Sequence, residues 1–193
     1  MNSRERVLAA ISHHEPDHVP LDLNGTGSTG IVGPTYQQLR DHLGLPKKPL
    51  QIWHTMQQLA AVDEDLLTRL GVDIRRISPN PPACWTLKIT ESDGYRRYTD
   101  EWEIGWRMPI VGGHYYDMCH HPLANAQTIA DIERHNWPNP ADLTRFADLV
   151  EKAKSFYEQT KAAITVGELC AGALDMANWL SGYESCMINF AAN

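Results

Sequence analysis

The chain has 193 residues, enough for one substantial domain, and its 42% hydrophobic and 21% charged residues are typical of an ordinary globular protein. Its net charge of -7, with no basic run longer than a pair, argues against a nucleic-acid partner. No apolar run is long enough to span a bilayer and the N-terminus lacks the apolar centre of a signal peptide, so we expect a cytoplasmic protein that has no membrane partner.

The first 83 residues alternate helical and strand-like patterns. Ser3 can cap a first helix, and Pro34 suits the first turn of a second helix, which Gly44 ends. The basic pair Arg75-Arg76 falls in a strand-like run and is interpreted as solvated surface charge. In chain order we predict a helix through about His13, a strand at 18–23, a helix from Pro34, a helix at 63–71 and a strand at 73–77.

The region from Cys84 to Cys119 has a different composition. Its β-forming residues are interrupted by Asp93-Gly94 and by Gly112-Gly113, which favour tight turns. We predict antiparallel hairpins here, inserted between two parallel strands. The tryptophans and tyrosines of YRRYTDEWEIGWRMP are interpreted as the packed face of a hairpin rather than a stacking surface for a flat substrate.

The last third returns to helix and strand. A helix is expected near 128–135, and Asn139 or Pro140 is predicted to open a long amphipathic helix to about Gln159. The run AAITVGEL predicts a buried strand at 162–167, and residues 172–192 are predicted to be helical. The chain stops in or just after this helix with no capping glycine.

Without the insert, the order is strand, helix, strand, helix, strand, helix. This alternation predicts an α/β protein with mutually parallel strands at 18–23, 73–77 and 162–167. A complete (β/α)8 TIM-barrel needs about 250 residues. We therefore expect a single domain spanning 1–193 that is only the N-terminal half, or slightly more, of such a barrel, with the chain truncated at its C-terminus.

Gly25, Gly27 and Gly30 have the spacing G-x-G-x-x-G after a predicted strand, which raises the question of dinucleotide binding. In that fingerprint the helix opens within the motif, and an acidic residue follows about 20 positions on. Here the helix begins only near Pro34, and the segment GLPKKPLQIWH holds no acidic residue. The motif is interpreted as a flexible loop at the carboxyl end of the first strand.

Two further clusters contain residues that can do chemistry. Cys119, His120 and His121 are adjacent, whereas zinc ligands are normally spaced along the chain, so we expect no metal there. Glu168 and Cys170 follow a predicted strand, where the residues of a barrel line the active face. Cys170 could instead be a small buried apolar side chain.

Several stretches in order resemble the uroporphyrinogen decarboxylase superfamily. They are NSRERVLAAISHHEPDHVPLDL, LLTRLGVDIRRI, HHPLANAQTIADIERHNWPNPADLTRFADLVEKAK and GYES. The chain looks most like the branch of cobalamin-dependent methyltransferases. The resemblance covers essentially all 193 residues and implies a TIM-barrel.

Three features of the true decarboxylases are missing. The arginine-rich motif after the first strand is replaced by NGTGSTGIVG, the aspartate position falls on Asn80, and the tyrosine position falls on Asn178 or Trp179. A substrate with eight carboxylates needs cationic partners, because a desolvated carboxylate without one costs several kcal/mol. Decarboxylation of uroporphyrinogen is therefore not expected.

The resemblance instead implies transfer of a methyl group between a small methylated substrate, or a thiol or folate acceptor, and a partner corrinoid protein that carries cobalamin. It also implies zinc, held by a His-x-Cys pair and a later Cys. No His-x-Cys occurs in this chain, so the ligands are expected beyond Asn193. A homodimer is compatible with the family. Two alternatives stay open: a degenerate uroporphyrinogen decarboxylase, and a non-catalytic binding protein of the same fold.

The predicted substrate pocket lies where the strand ends meet. Most of its groups are neutral, and Glu168 is the only expected charge, which suits a small, uncharged or weakly polar methylated compound. The glycines are expected to let their loop pass close beneath a corrinoid or substrate. The predicted substrate-binding residues are Asn24, Thr26, Asn80, Glu168 and Cys170.

Overall fold

The computed structural model describes residues 1–167 and 170–192, within which the chain forms seven α-helices and eight short β-strands. The helices are α1 (Ser3–Ile11), α2 (Gly33–His42), α3 (Glu64–Leu70), α4 (Ile129–Glu133), α5 (Leu149–Gln159), α6 (Ala173–Ser181) and α7 (Tyr183–Ala192). The strands are β1 (Ile52–His54), β2 (Leu59–Ala60), β3 (Ile74–Ile77), β4 (Thr90–Ser92), β5 (Tyr95–Thr99), β6 (Gly105–Pro109), β7 (Asp117–His120) and β8 (Ala163–Val166).

The strands form three small sheets, so the predicted TIM-barrel is wrong. β1 and β2 form an antiparallel pair, β3 and β8 form a parallel pair, and β4 to β7 form a four-stranded antiparallel sheet. Within the part of the chain that the structure describes, no closed barrel is present. The architecture is mixed α/β, with parallel pairing limited to two strands.

The parallel region is small because residues 18–23 form no strand. The N–H of Leu21 donates to the Asp73 carboxylate at 2.8 Å, and the Asp73 N–H donates to the Leu21 carbonyl at 2.9 Å. Pro20 has no N–H to extend this contact into a ladder. A barrel needs every strand to be paired on both sides, and this segment does not supply a third parallel strand.

The other two predicted parallel strands are confirmed. Ile74 pairs with Ala163 and Ile77 with Val166, in parallel register. Helix α5 packs on both strands, as does the crossover helix of a βαβ unit. The sequence pattern therefore identified this strand pair correctly, and it identified the C-terminal part of the connecting helix.

The prediction misplaced some helix ends and missed one break between helices. Asn2 caps α1 in place of Ser3, with its side chain accepting from the Glu5 N–H at 3.0 Å. Helix α5 begins at Leu149, ten residues or so after the predicted start, because a 3₁₀ turn precedes it. The predicted last helix is two helices separated by Gly182, whose φ of 84° is left-handed.

The described residues divide between two compact units. One contains residues 1–80 and 146–167, and the other contains residues 81–145 and 170–192. The core of the first unit includes Tyr36, Ala60 and Leu66. Within the described residues, no helix has the length and apolar character needed to cross a membrane.

The second unit contains the predicted antiparallel insert. Asp93 and Gly94 have φ values of 51° and 78°, which is the geometry of the tight turn expected between β4 and β5. Tyr98 and Trp106 stack with their centroids 6.2 Å apart and are buried. The aromatic residues of this insert therefore form a packed face, as predicted.

Candidate functional site

The carboxyl ends of β3 and β8 lie side by side in the first unit. The Gly167 N–H donates to the Ile77 carbonyl at 2.8 Å, which brings together the residues that follow the two strands. A Cβ atom at position 167 would come within 3.2 Å of Ser78 Oγ, so glycine allows this close approach. In open α/β sheets, ligands bind at this end of the strands.

The glycine loop is tied to the same pair of strands. The Thr165 hydroxyl of β8 donates to the Gly25 carbonyl at 2.9 Å. Asn24, at the start of the loop, has a left-handed φ of 71°, and its N–H donates to the Thr29 carbonyl at 2.9 Å. Its Oδ1 atom is buried and has no hydrogen-bond partner among the described residues.

Two glycines of this loop, Gly25 and Gly30, lie against neighbouring side chains. The Asp22 carboxylate accepts the Gly25 N–H at 2.8 Å and occupies the place that a Cβ atom at 25 would need. A Cβ atom at Gly30 would collide with Leu59. Helix α2 begins at Gly33, after the motif, so its N-terminus does not lie within the motif as a dinucleotide fingerprint requires. These contacts explain Gly25 and Gly30 without a cofactor.

A cavity of about 590 Å³, which we call the Asn24 cavity, lies in the first unit beside β3. It is of a size that accepts small molecules. Asn24 is the predicted site residue that lines it. The full lining consists of Leu23, Asn24, Ala61, Val62, Glu64, Leu67, Ile74, Arg75, Arg76, Phe156, Gln159 and Thr160.

Three other predicted site residues, Thr26, Asn80 and Cys170, do not line this cavity. The Thr26 N–H donates to Thr29 Oγ1 at 3.0 Å, within the glycine loop. Asn80 donates to the Asp148 carboxylate at 3.1 Å, next to the start of α5. Cys170 is exposed and belongs to the second unit. Glu168 lies outside the described residues.

The cavity wall carries three charged side chains that the sequence analysis did not place there. Two of them neutralise each other: Arg75 donates to Glu64 from Nε at 2.7 Å and from Nη2 at 2.6 Å. The hydrogen bond from Arg75 lowers the pKa of Glu64 below its ordinary value. Arg75 is buried and also donates to the Val72 and Ile74 carbonyls, so it is not solvated surface charge.

Arg76 is the third charge, and sequence reasoning missed it. Its guanidinium lies 3.2 Å from the centroid of the Trp53 ring, and its Nη1 donates to Ser78 Oγ at 2.5 Å. The sequence could have indicated this, because side chains alternate between the two faces of a strand, and in VDIRRI those of Arg75 and Arg76 must therefore point to opposite faces. An arginine pair within a buried strand therefore cannot lie wholly in solvent.

A buried ion pair fixes the chain that enters β3. Arg6 of α1 donates to Asp73 at 2.5 Å and to Asp17 at 2.7 Å. Burial raises the pKa of Asp73, but hydrogen bonds from Ser3, from the Leu21 N–H and from Arg6 outweigh burial and leave that pKa below its ordinary value. This network anchors the N-terminal segment, and with it the glycine loop, against β3.

Among residues 1–167 and 170–192, no group of three or more His, Cys, Asp or Glu side chains could hold a metal ion. Within the adjacent Cys119–His121 stretch, Cys119 is exposed and the His121 Nδ1 lies 2.7 Å from the Trp179 carbonyl oxygen.

Comparison with known protein families, curated proteins and solved structures found no match to this chain. The resemblance to the uroporphyrinogen decarboxylase superfamily therefore rests on its sequence motifs alone.

Proposed function

We propose that this chain belongs to a cytoplasmic methyltransferase of the uroporphyrinogen decarboxylase superfamily. The reaction moves a methyl group between a small methylated substrate, or a thiol or folate acceptor, and a partner corrinoid protein. The support comes from the order of the family-like motifs along the chain and from the loop that follows the first of them.

The composition and position of that loop carry the proposal. Residues 24–33 contain no basic side chain, although this is where the decarboxylases hold arginines. The loop is bound to β8 through Thr165 and Gly25, and its Asn24 lines a cavity. An amide in this place can orient a small polar molecule but cannot neutralise a polycarboxylate.

The resemblance assigns zinc and cobalamin to the reaction, with zinc supplying Lewis acidity to the methyl donor or the thiol. Within residues 1–167 and 170–192 no ligand set for zinc is present, and the resemblance assigns the cobalamin to the partner protein. The part of this chain in the reaction is to bind and orient the small molecule in the Asn24 cavity.

The test is the anaerobic reaction of the full-length protein with methylcobalamin and 2-mercaptoethanol, followed by visible absorbance. The methyl carbon forms a bond to sulfur, the thiol loses its proton, and the electron pair of the broken cobalt–carbon bond stays on cobalt. Glu168→Gln is expected to lower the rate, while Glu184→Gln on the exposed face of α7 leaves it unchanged.

Conversion of uroporphyrinogen to coproporphyrinogen by the same protein, with no demethylation of methylcobalamin, would replace this proposal by the decarboxylase alternative. Failure of both reactions would leave a non-catalytic binding protein as the remaining alternative. An unchanged rate in Glu168→Gln would show that Glu168 takes no part in the substrate site. The methyltransferase assignment would then depend on the activity of the wild-type protein alone.

A further inference from the structure

Half of the residues that line the Asn24 cavity are apolar. Leu67 of α3 is buried, and Leu23 and Val62 also pack against the core residues Tyr36 and Leu66, so this part of the wall is held in place. A ligand that covers apolar side chains removes their surface from water, which favours binding. The apolar lining residues are Leu23, Ala61, Val62, Leu67, Ile74 and Phe156.

Four polar residues of the lining bond to the chain itself or lie at the rim. Arg75 donates two hydrogen bonds to Glu64, and the Thr160 hydroxyl donates to the Phe156 carbonyl at 2.8 Å. Glu64 and Gln159 are exposed, which places them where the cavity opens to solvent. A ligand that bonded to these groups would replace hydrogen bonds that already exist, at little net gain. These four residues therefore offer a ligand less than the apolar part of the wall does.

Phe156 is the largest apolar side chain of the lining. Its carbonyl accepts from the Thr160 N–H at 3.0 Å and from the Thr160 hydroxyl, which fixes the last turn of α5. Helix α5 in turn packs on β3 and β8, so the strand pair supports the helix that carries the ring. Aromatic rings attract other rings in stacked or edge-to-face arrangements. Phe156 therefore gives the cavity a side chain that favours a cyclic ligand.

The size of the cavity makes a one-carbon compound a poor fit. The cavity volume is about 590 Å³. A water molecule takes up about 30 Å³ in the liquid, and a one-carbon compound is roughly twice that size. Such a compound would leave most of the apolar wall in contact with water, whereas a ligand with a ring would cover more of it.

We propose that the Asn24 cavity binds a compound whose apolar body is about the size of a six-membered ring, with that body against Phe156 and the aliphatic side chains. This assignment narrows the substrate expected from the sequence, a small methylated compound, to one that carries a ring-sized apolar group. As a statement about the substrate it rests on the proposed function, whereas as a statement about binding it can be tested alone.

The test compares benzamide with acetamide, which has the same amide group and no ring. Calorimetric titration of the full-length protein is expected to show binding of benzamide at least about tenfold tighter than binding of acetamide, because the cavity removes the phenyl ring from water.

Two substitutions at one position test where the ring binds. Phe156→Ala removes the aromatic wall and is expected to weaken benzamide binding severalfold. Phe156→Leu keeps a large apolar side chain and is expected to retain part of the affinity, which separates a lost contact from lost folding. Val150→Ala on the same helix is the control, because Val150 is 78% exposed and does not line the cavity, and it should leave binding unchanged.

Equal affinity for the two compounds, no binding of benzamide, or unchanged benzamide binding in Phe156→Ala would each overturn the assignment. Binding of benzamide without methyl transfer by the same protein would overturn the proposed function and leave this site standing. Methyl transfer without preference for benzamide would do the reverse.

Discussion

Asp73 illustrates how single residues hold the first unit together. Its carboxylate is buried beside Arg6 and accepts the Leu21 N–H, so it links α1, the N-terminal segment and β3. Because its pKa is lowered in the folded chain, the protein gains stability when this carboxylate is ionised. The contribution is present above the pKa of about 3.9 that the group has in the unfolded chain and is lost as the pH falls through the folded value.

Asp73→Asn is therefore expected to lower the free energy of unfolding at pH 7, because Arg6 loses its buried partner. The difference between wild type and variant should shrink below about pH 4, because the Asp73 carboxylate then takes up a proton in the unfolded chain while it stays ionised in the folded chain until a lower pH. Urea unfolding at pH 7 and at pH 3 measures both effects. Asp41→Asn, on the exposed face of α2, is the control and should change neither value. A pH-independent difference would contradict the role assigned to Asp73.

At the scale of elements, the hairpin β4–β5 depends on a turn with positive φ. Gly94 has a φ of 78° and open space around the position of a Cβ atom, so a substitution there is penalised by backbone strain alone. Gly94→Val is expected to lower the free energy of unfolding by roughly 1–2 kcal/mol, since a β-branched residue is strained in this conformation. Tryptophan fluorescence during urea unfolding measures the change.

Ser92→Val, two residues earlier in the exposed strand β4, is the matched control. Valine suits an extended backbone, so this variant should stay within about 0.5 kcal/mol of wild type. Equal destabilisation by the two substitutions would show that β-branching, and not the left-handed turn, is responsible.

The elements also show which sequence signals were sufficient. The run AITV predicted β8, and the apolar residues Ile74 and Ile77 on either side of the arginine pair predicted β3. Apolar β-branched segments bounded by turns are typical of buried strands. The segment 18–23 carried the same apolar pattern and formed no strand. This segment forms no strand because the carboxylate of Asp73, which is distant in sequence, accepts the hydrogen bond from the Leu21 N–H.

At the scale of the whole molecule, the parallel pair leaves apolar surface exposed. Among the described residues β8 pairs with β3 alone, and Val166 keeps 60% of its surface accessible. Ile188 and Phe190 of α7 are 58% and 63% exposed. Unpaired strand edges and exposed apolar side chains favour association between chains.

The isolated 193-residue chain is therefore expected to self-associate at micromolar to millimolar concentration, as aggregation-prone species do. Light scattering as a function of concentration measures this. Val166→Lys should reduce the association because a charge on a strand edge opposes pairing, whereas Thr68→Lys on the exposed face of α3 should not. A monomeric sample over the whole range would contradict this view of the surface.

The candidate site was predictable only in part. The glycine loop and Asn24 were identified from their place after an apolar segment, and Asn24 does line a cavity. Asn80 and Thr26 have suitable polar groups but bond to Asp148 and Thr29 instead. Arg76 was not recognised because its importance arises from Trp53, which is 23 positions away and contacts it only in the folded chain.

The sequence by itself determined the local structure of this protein. Helix caps, turn glycines and apolar periodicity act between residues a few positions apart, so α1, α3, the Asp93-Gly94 turn, and the strands β3 and β8 could be predicted from short stretches. The tertiary structure alone decided that two parallel strands form without a barrel and that Arg76 and Asn24 share a cavity. Strand pairing and cavity lining depend on contacts between distant residues, which no local pattern encodes.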